Sequence, residues 1–114
     1  MTHPEHDNQC LFFQWFRLAH PTIVAFAIPN FAHLSVRSGA WLKAEGKLAG
    51  VPDLFVAIGN NVGENGLFIE MKSMKGAIQD SQLEVIDKLI ESGYCCKIAR
   101  SFEEAKKIVE EYLS

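Results

Sequence analysis

Apolar residues recur along this chain in two rhythms, one helical and one alternating or continuous. Phe12, Phe13 and Phe16 share a helical stripe that runs back through Gln9 to Glu5. That spacing predicts a helix from about Pro4 to Ala19, with Glu5 and Gln9 on the face turned to the core. Thr2 with Glu5 fits a capping box, Pro4 suits a first helical turn, and His20-Pro21 ends the segment. Leu83, Ile86, Leu89 and Ile90 repeat in the same way within "QDSQLEVIDKLIESG", and Gly93 stops that helix. "SFEEAKKIVEEYL" reads as a last helix, opened by Ser101 with Glu104 as a second capping box.

Between these helices lie short runs of strand-forming residues. "TIVAFAIP" is a first strand ended by Pro29, "DLFVAI" and "GLFIEMK" are a second and third, and "YCCKIA" is a fourth. The polar stretch "GNNVGENG" joins the second and third as a hairpin. Residues 30–50 read as mostly loop, with room for a short helix in "SGAWLKAEG". The order is α-β-β-β-α-β-α, an α/β chain with a mixed four-stranded sheet flanked by helices. All 114 residues are expected to form one domain.

The hairpin carries the candidate chemistry. If its loop is centred so that Gly59 faces Gly66, Asp53 falls opposite Lys72 and Phe55 opposite Glu70. Side chains two apart on a strand share a face, so Asp53, Glu70 and Lys72 converge while Met71 points away. A slip of one residue would disperse them. Two carboxylates beside an ammonium can hold Mg2+ or Mn2+ with water, and the lysine can place a nucleophilic water or offset transition-state charge. The same residues could equally be a cross-strand ion pair of Asp53 with Lys72, leaving Glu70 solvated. Glu5 and Gln82 also project toward the sheet. Each has an alternative, a capping box for Glu5 and a helix-start hydrogen bond for Gln82.

Composition narrows the class. The chain is 48% hydrophobic and 22% charged, as in ordinary globular proteins. No apolar run is long enough for a membrane span, and "MTHPEHDNQC" lacks a signal-peptide layout, so a cytoplasmic location is expected. A formal charge of −3 argues against nucleic-acid binding by bulk charge alone, not against a local metal-assisted site. Cys10, Cys95 and Cys96 form no metal or disulfide pattern and read as small buried hydrophobes.

At this point a family resemblance emerges. "GVPDLFVA" followed by "LFIEMK" resembles the PD-(D/E)XK nuclease motif, through Pro52-Asp53 and Glu70-Met71-Lys72. With "PEHDNQ", "IPN", "AEGKLAGVPDL", "EMKSMKG", "SQLEVIDKLIESGY" and "IARSFEEA", nearly the whole chain is similar to the VRR-NUC (virus-type replication-repair nuclease) domain. The resemblance implies a restriction-endonuclease-like core and a metal-dependent DNA endonuclease. Small stand-alone members resemble phage-type nucleases that act as dimers on branched DNA, including four-way (Holliday) junctions. It implies that Asp53, Glu70 and the Met71 carbonyl bind the metal, and that Lys72 orients or activates water. It further implies that Glu5 completes the site and that Gln82 positions Lys72 or a phosphate.

Candidate DNA contacts are Arg37, Lys43, Lys47 and Lys75, which could equally be a scattered solvated surface. Phe31, Leu34 and Trp41 are apolar residues that a monomer would struggle to bury, which suits a homodimer. The same residues could instead cover one end of the core. His33 reads as a surface or packing residue. Two other functions stay open: a non-catalytic DNA-binding module with the nuclease fold, and a nuclease of the same superfamily on linear DNA or RNA.

Overall fold

The protein is described from a computed structural model covering residues 3–29 and 36–114, with side chains from residue 39 onward in the second stretch. Thr2, Phe31, His33 and Leu34 lie outside the described residues, as does the side chain of Arg37.

Helix α1, Pro4–Ala19, forms where the stripe predicts it. Phe12 and Phe16 are fully buried along its inner face. Its first turn carries Glu5 and Asp7 and its last Arg17, an arrangement that complements the helix dipole. The N-cap is His3, without a side-chain cap, so Glu5 is freed from the capping role expected of it. Strand β1, Ala25–Ala27, is shorter than its apolar run, because Pro29 and the turn after His20 leave few residues able to pair. Helix α2 spans Val36–Ala44.

Strands β2, Leu54–Val56, and β3, Leu67–Met71, form the expected antiparallel hairpin. Helix α3, Asp80–Glu91, crosses to β4, Cys95–Ala99, which runs parallel to β3. Helix α4, Phe102–Leu113, closes the chain. The sheet order is β1-β2-β3-β4, antiparallel except for the last pair.

Alternation along β2 and β3 divides the sheet into two faces. Leu54, Val56, Leu67, Ile69 and Met71 are fully buried against Phe12 and Phe16 of α1 and Ala105 and Val109 of α4. The other face carries Asp53, Phe55, Phe68, Glu70 and Lys72 and turns toward α3. Helix α3 covers it only partly: Leu83 is 45% exposed and Ile90 52% exposed, so the apolar stripe read from the sequence is not buried along its length.

The hairpin register differs from the sequence expectation. Leu54 faces Ile69 and Phe55 faces Phe68, a shift of two residues. The tight turn is Asn60–Gly63, where Gly63 N–H donates to Asn60 O at 3.3 Å and Glu64 N–H to Asn60 Oδ1 at 2.9 Å. The chain therefore reverses one residue earlier than the midpoint of the polar stretch. A shift of two keeps every side chain on its face, and it moves Asp53 from beside Lys72 to beside Glu70.

The cysteines divide. Cys95 is buried and Cys96 half-buried, and burial raises both thiols, Cys96 to about 11, so neither is poised to react. Cys10 is exposed on the solvent side of α1 with Sγ 3.5 Å from His6 Nε2, contrary to its reading as a buried hydrophobe.

Candidate active site

The site begins with a glycine. Gly50 has φ +91°, which L side chains rarely adopt, and a Cβ there would run into the backbone carbonyl of Ser81. The Gly50–Pro52 segment can thus press against the first turn of α3. Pro52 is buried behind it, and Asp53 follows at the lead-in to β2. Ile28 N–H donates to Asp53 O at 2.7 Å, which extends the β1–β2 pairing to this residue.

Asp53 Oδ2 accepts the Met71 N–H at 2.7 Å, so the carboxylate is tied to the strand that carries its partners. Glu70 is 5% exposed, the one buried charged residue among those described. Its Oε2 accepts from Gln82 Nε2 at 2.5 Å and lies 3.5 Å from Lys72 Nζ. Gln82 also accepts the Gln79 N–H through Oε1 at 2.9 Å. One side chain therefore caps α3, as the helix-start reading expects, and also fixes Glu70. Its contact is with Glu70 rather than with Lys72.

Glu5 is exposed and reaches across from α1. Its Oε1 accepts the Ser73 N–H at 3.1 Å, and its charge is felt at Asp53. Arg100, to which sequence reasoning gave no role, donates through Nη1 to Ser73 O at 2.7 Å and Gly76 O at 2.8 Å. The turn after Lys72 is thus held from both sides. Nothing local in the sequence marks Arg100, because its partners lie 24 and 27 residues away.

Burial, then the neighbouring Asp53 charge, pushes the Glu70 carboxyl up to about 7, while Lys72 pulls it down. Burial also raises Asp53, opposed by the Met71 N–H. Burial and the mutual influence of the two carboxyl groups outweigh Lys72, so the pair is short of positive charge. An oxygen-only donor set of this kind suits a hard divalent cation. Among the described residues no three or more His, Cys, Asp and Glu converge to hold an ion. Two carboxylates, a backbone carbonyl and water are nevertheless enough for magnesium.

These groups open into a cleft of about 640 Å³ between the sheet, α2 and the start of α3. Lys43 and Lys47 line it together with Lys72. Lys75 sits on the Ser73–Gly76 turn, outside the cleft lining. Arg37 lies in the first turn of α2, the helix that forms one wall.

The family model described as VRR-NUC domain matches residues 1–103. A solved structure described as a "VRR_NUC domain protein" is similar in fold, with a TM-score of 0.73 and 24% identity, covering 98% of this chain and 89% of that one. No curated protein matches this sequence. Among the described residues no helix is long and apolar enough to cross a membrane.

Proposed function

We propose, from the premise that this chain belongs to the VRR-NUC domain family, that it is a divalent-metal-dependent endonuclease acting on branched DNA. One observation carries the reading: Asp53, Glu70 and Lys72 meet on one face of the sheet, at the floor of a lysine-lined cleft.

Asp53, Glu70 and the Met71 carbonyl would hold Mg2+ or Mn2+, which when bound supplies charge for the phosphate oxygens and acidifies a water. Lys72 orients the attacking water and offsets charge developing on the phosphate. Gln82 keeps the Glu70 carboxylate turned toward the site. Glu5 places a further negative charge beside Asp53 and steadies the turn after Lys72. Lys43 and Lys47 attract the phosphate backbone, with Arg37 and Lys75 as outlying contacts.

Branched DNA, four-way junctions among its forms, is the substrate supported by the resemblance to stand-alone phage-type nucleases. Homodimerisation rests on the resemblance to phage-type nucleases that act as dimers, with Trp41, 71% exposed, as a candidate contact. A non-catalytic binding module is disfavoured, since the two carboxylates and the lysine are all present and assembled. The testing experiment is a panel of labelled four-way, flapped, linear-duplex and single-stranded DNA and of RNA, incubated with Mg2+, Mn2+ or EDTA. Preferential metal-dependent cutting of branched forms is expected. Preferential cutting of RNA or linear duplex would replace the substrate, and binding without turnover under any metal would replace the enzyme.

A further inference from the structure

The cleft is not uniformly polar. Beside the charged floor stands an aliphatic wall of Ile28, Pro29, Leu42, Leu48 and Val51. Leu48 is 66% exposed, and Ile28, Leu42 and Val51 are half-buried, so among the described residues this wall is left partly open. Ile28 pairs through its N–H with the Asp53 carbonyl at 2.7 Å, and Val51 precedes Asp53 by two residues, so the wall adjoins the reacting groups. A backbone phosphate alone gains nothing from such a surface.

We infer that this wall seats one unpaired nucleobase of the strand being cut, next to the scissile phosphate. The inference rests on the nuclease reading and deepens it. A nucleotide has both properties the cleft offers: a flat apolar base and an anionic phosphate. The lysines suit the second, as the carboxylates would through a bound cation, and the aliphatic wall suits the first. The cleft volume is in the range of small-ligand pockets, roughly 300–1,000 Å³. A base inside a duplex shows only its edges, because its faces are covered by neighbours. An apolar wall can meet a base face only after the base has left the stack, which costs least where pairing is already interrupted. Preference for branched DNA then follows from where unstacked bases occur, with no sequence reading required.

The test is a scan of single abasic sites through the nucleotides flanking the cut in a branched DNA, using wild type and Leu48→Ser in Mg2+. Leu48 is largely exposed, so the variant should melt like wild type. At one position, loss of the base should slow wild-type cleavage on the order of tenfold, which corresponds to roughly 55 Å² of apolar surface removed from water. In Leu48→Ser intact DNA should be cut more slowly, and the abasic penalty should shrink to about twofold or less. Indifference of wild type to every abasic site, or a full penalty retained in Leu48→Ser, would overturn the inference while leaving the nuclease standing. The same scan read as equilibrium binding in Ca2+ applies whether or not the chain cuts: a position-specific loss of affinity supports the seat, and none overturns it. A protein that neither cuts nor binds DNA overturns this inference together with the reading beneath it.

Discussion

Glu70 illustrates how a single residue can be structural liability and candidate chemistry together. Its folded carboxyl titrates near 7 against an ordinary 4.5, because burial and Asp53 both resist its charge. A raised carboxyl favours the folded state fully only below its unfolded value, and that advantage is lost as pH rises from about 4.5 through about 7. Glu70→Gln removes this titration and keeps an oxygen to accept from Gln82. Without metal, the melting temperature of Glu70→Gln should therefore gain on wild type as pH rises across that window. Mg2+ should stabilise wild type and leave the variant nearly unmoved. A constant difference across pH, read by thermal melts, would mean Glu70 is ionised at little cost.

Glu5 separates site from scaffold. Gln retains the oxygen that accepts the Ser73 N–H, so Glu5→Gln should melt like wild type. If its charge serves the metal site, the initial cleavage rate should fall strongly. Normal melting with normal activity would reduce Glu5 to a brace for the turn after Lys72.

At the scale of elements, the position of Asp53 against α3 depends on Gly50. Gly50→Ala forces a side chain into a positive-φ conformation and into the Ser81 carbonyl. The segment must then move away from α3 and take Asp53 with it. The melting temperature should drop by several degrees, on the order of a 1 kcal/mol loss or more, and cleavage should fall further than stability alone explains. An active Gly50→Ala enzyme with wild-type melting would show the close approach to be dispensable.

The span of helix α1 was legible from its aromatic stripe, because a 3.6-residue period over many residues has few competing readings, but its cap and the exposure of Glu5 were not. The hairpin was legible as a hairpin, but its register was not. The Asn60–Gly63 turn is fixed by the Asn60 and Glu64 side chains, and that choice is hidden in a stretch where several turns fit. The convergence of Asp53, Glu70 and Lys72 survived because parity, not register, sets the face. Their neighbour relations did not survive: the side-by-side carboxylates, and so the raised Glu70, follow only from the true pairing. Gln82 was visible through its place on the α3 stripe. Arg100 was invisible, since its bonds go to backbone carbonyls distant in sequence.

At the scale of the whole molecule, the chain carries net charge −3 and still offers a cleft lined by Lys43, Lys47 and Lys72. Local arrangement, not net charge, decides whether a polyanion can be held there. Trp41 is 71% exposed on α2 and is the residue on which the proposed homodimer is tested. Sedimentation should give twice the 12.8 kDa chain mass, and Trp41→Ser should shift it toward one. A wild-type monomer at micromolar concentration would contradict the homodimer.

On the function proposed for this chain, Asp53, Glu70 and Lys72 act as one metal-dependent phosphodiesterase centre. The most direct measurement is the initial cleavage rate of branched DNA by wild type in Mg2+, by wild type in EDTA, and by Lys72→Ala in Mg2+, with DNA binding recorded alongside. Wild type should cut in Mg2+ and stop in EDTA. Lys72→Ala should bind DNA and melt like wild type, yet cut on the order of 10² to 10³ times more slowly, as when a positioned transition-state charge is removed. Cutting that persists in EDTA, or a Lys72→Ala enzyme near the wild-type rate, would contradict the account.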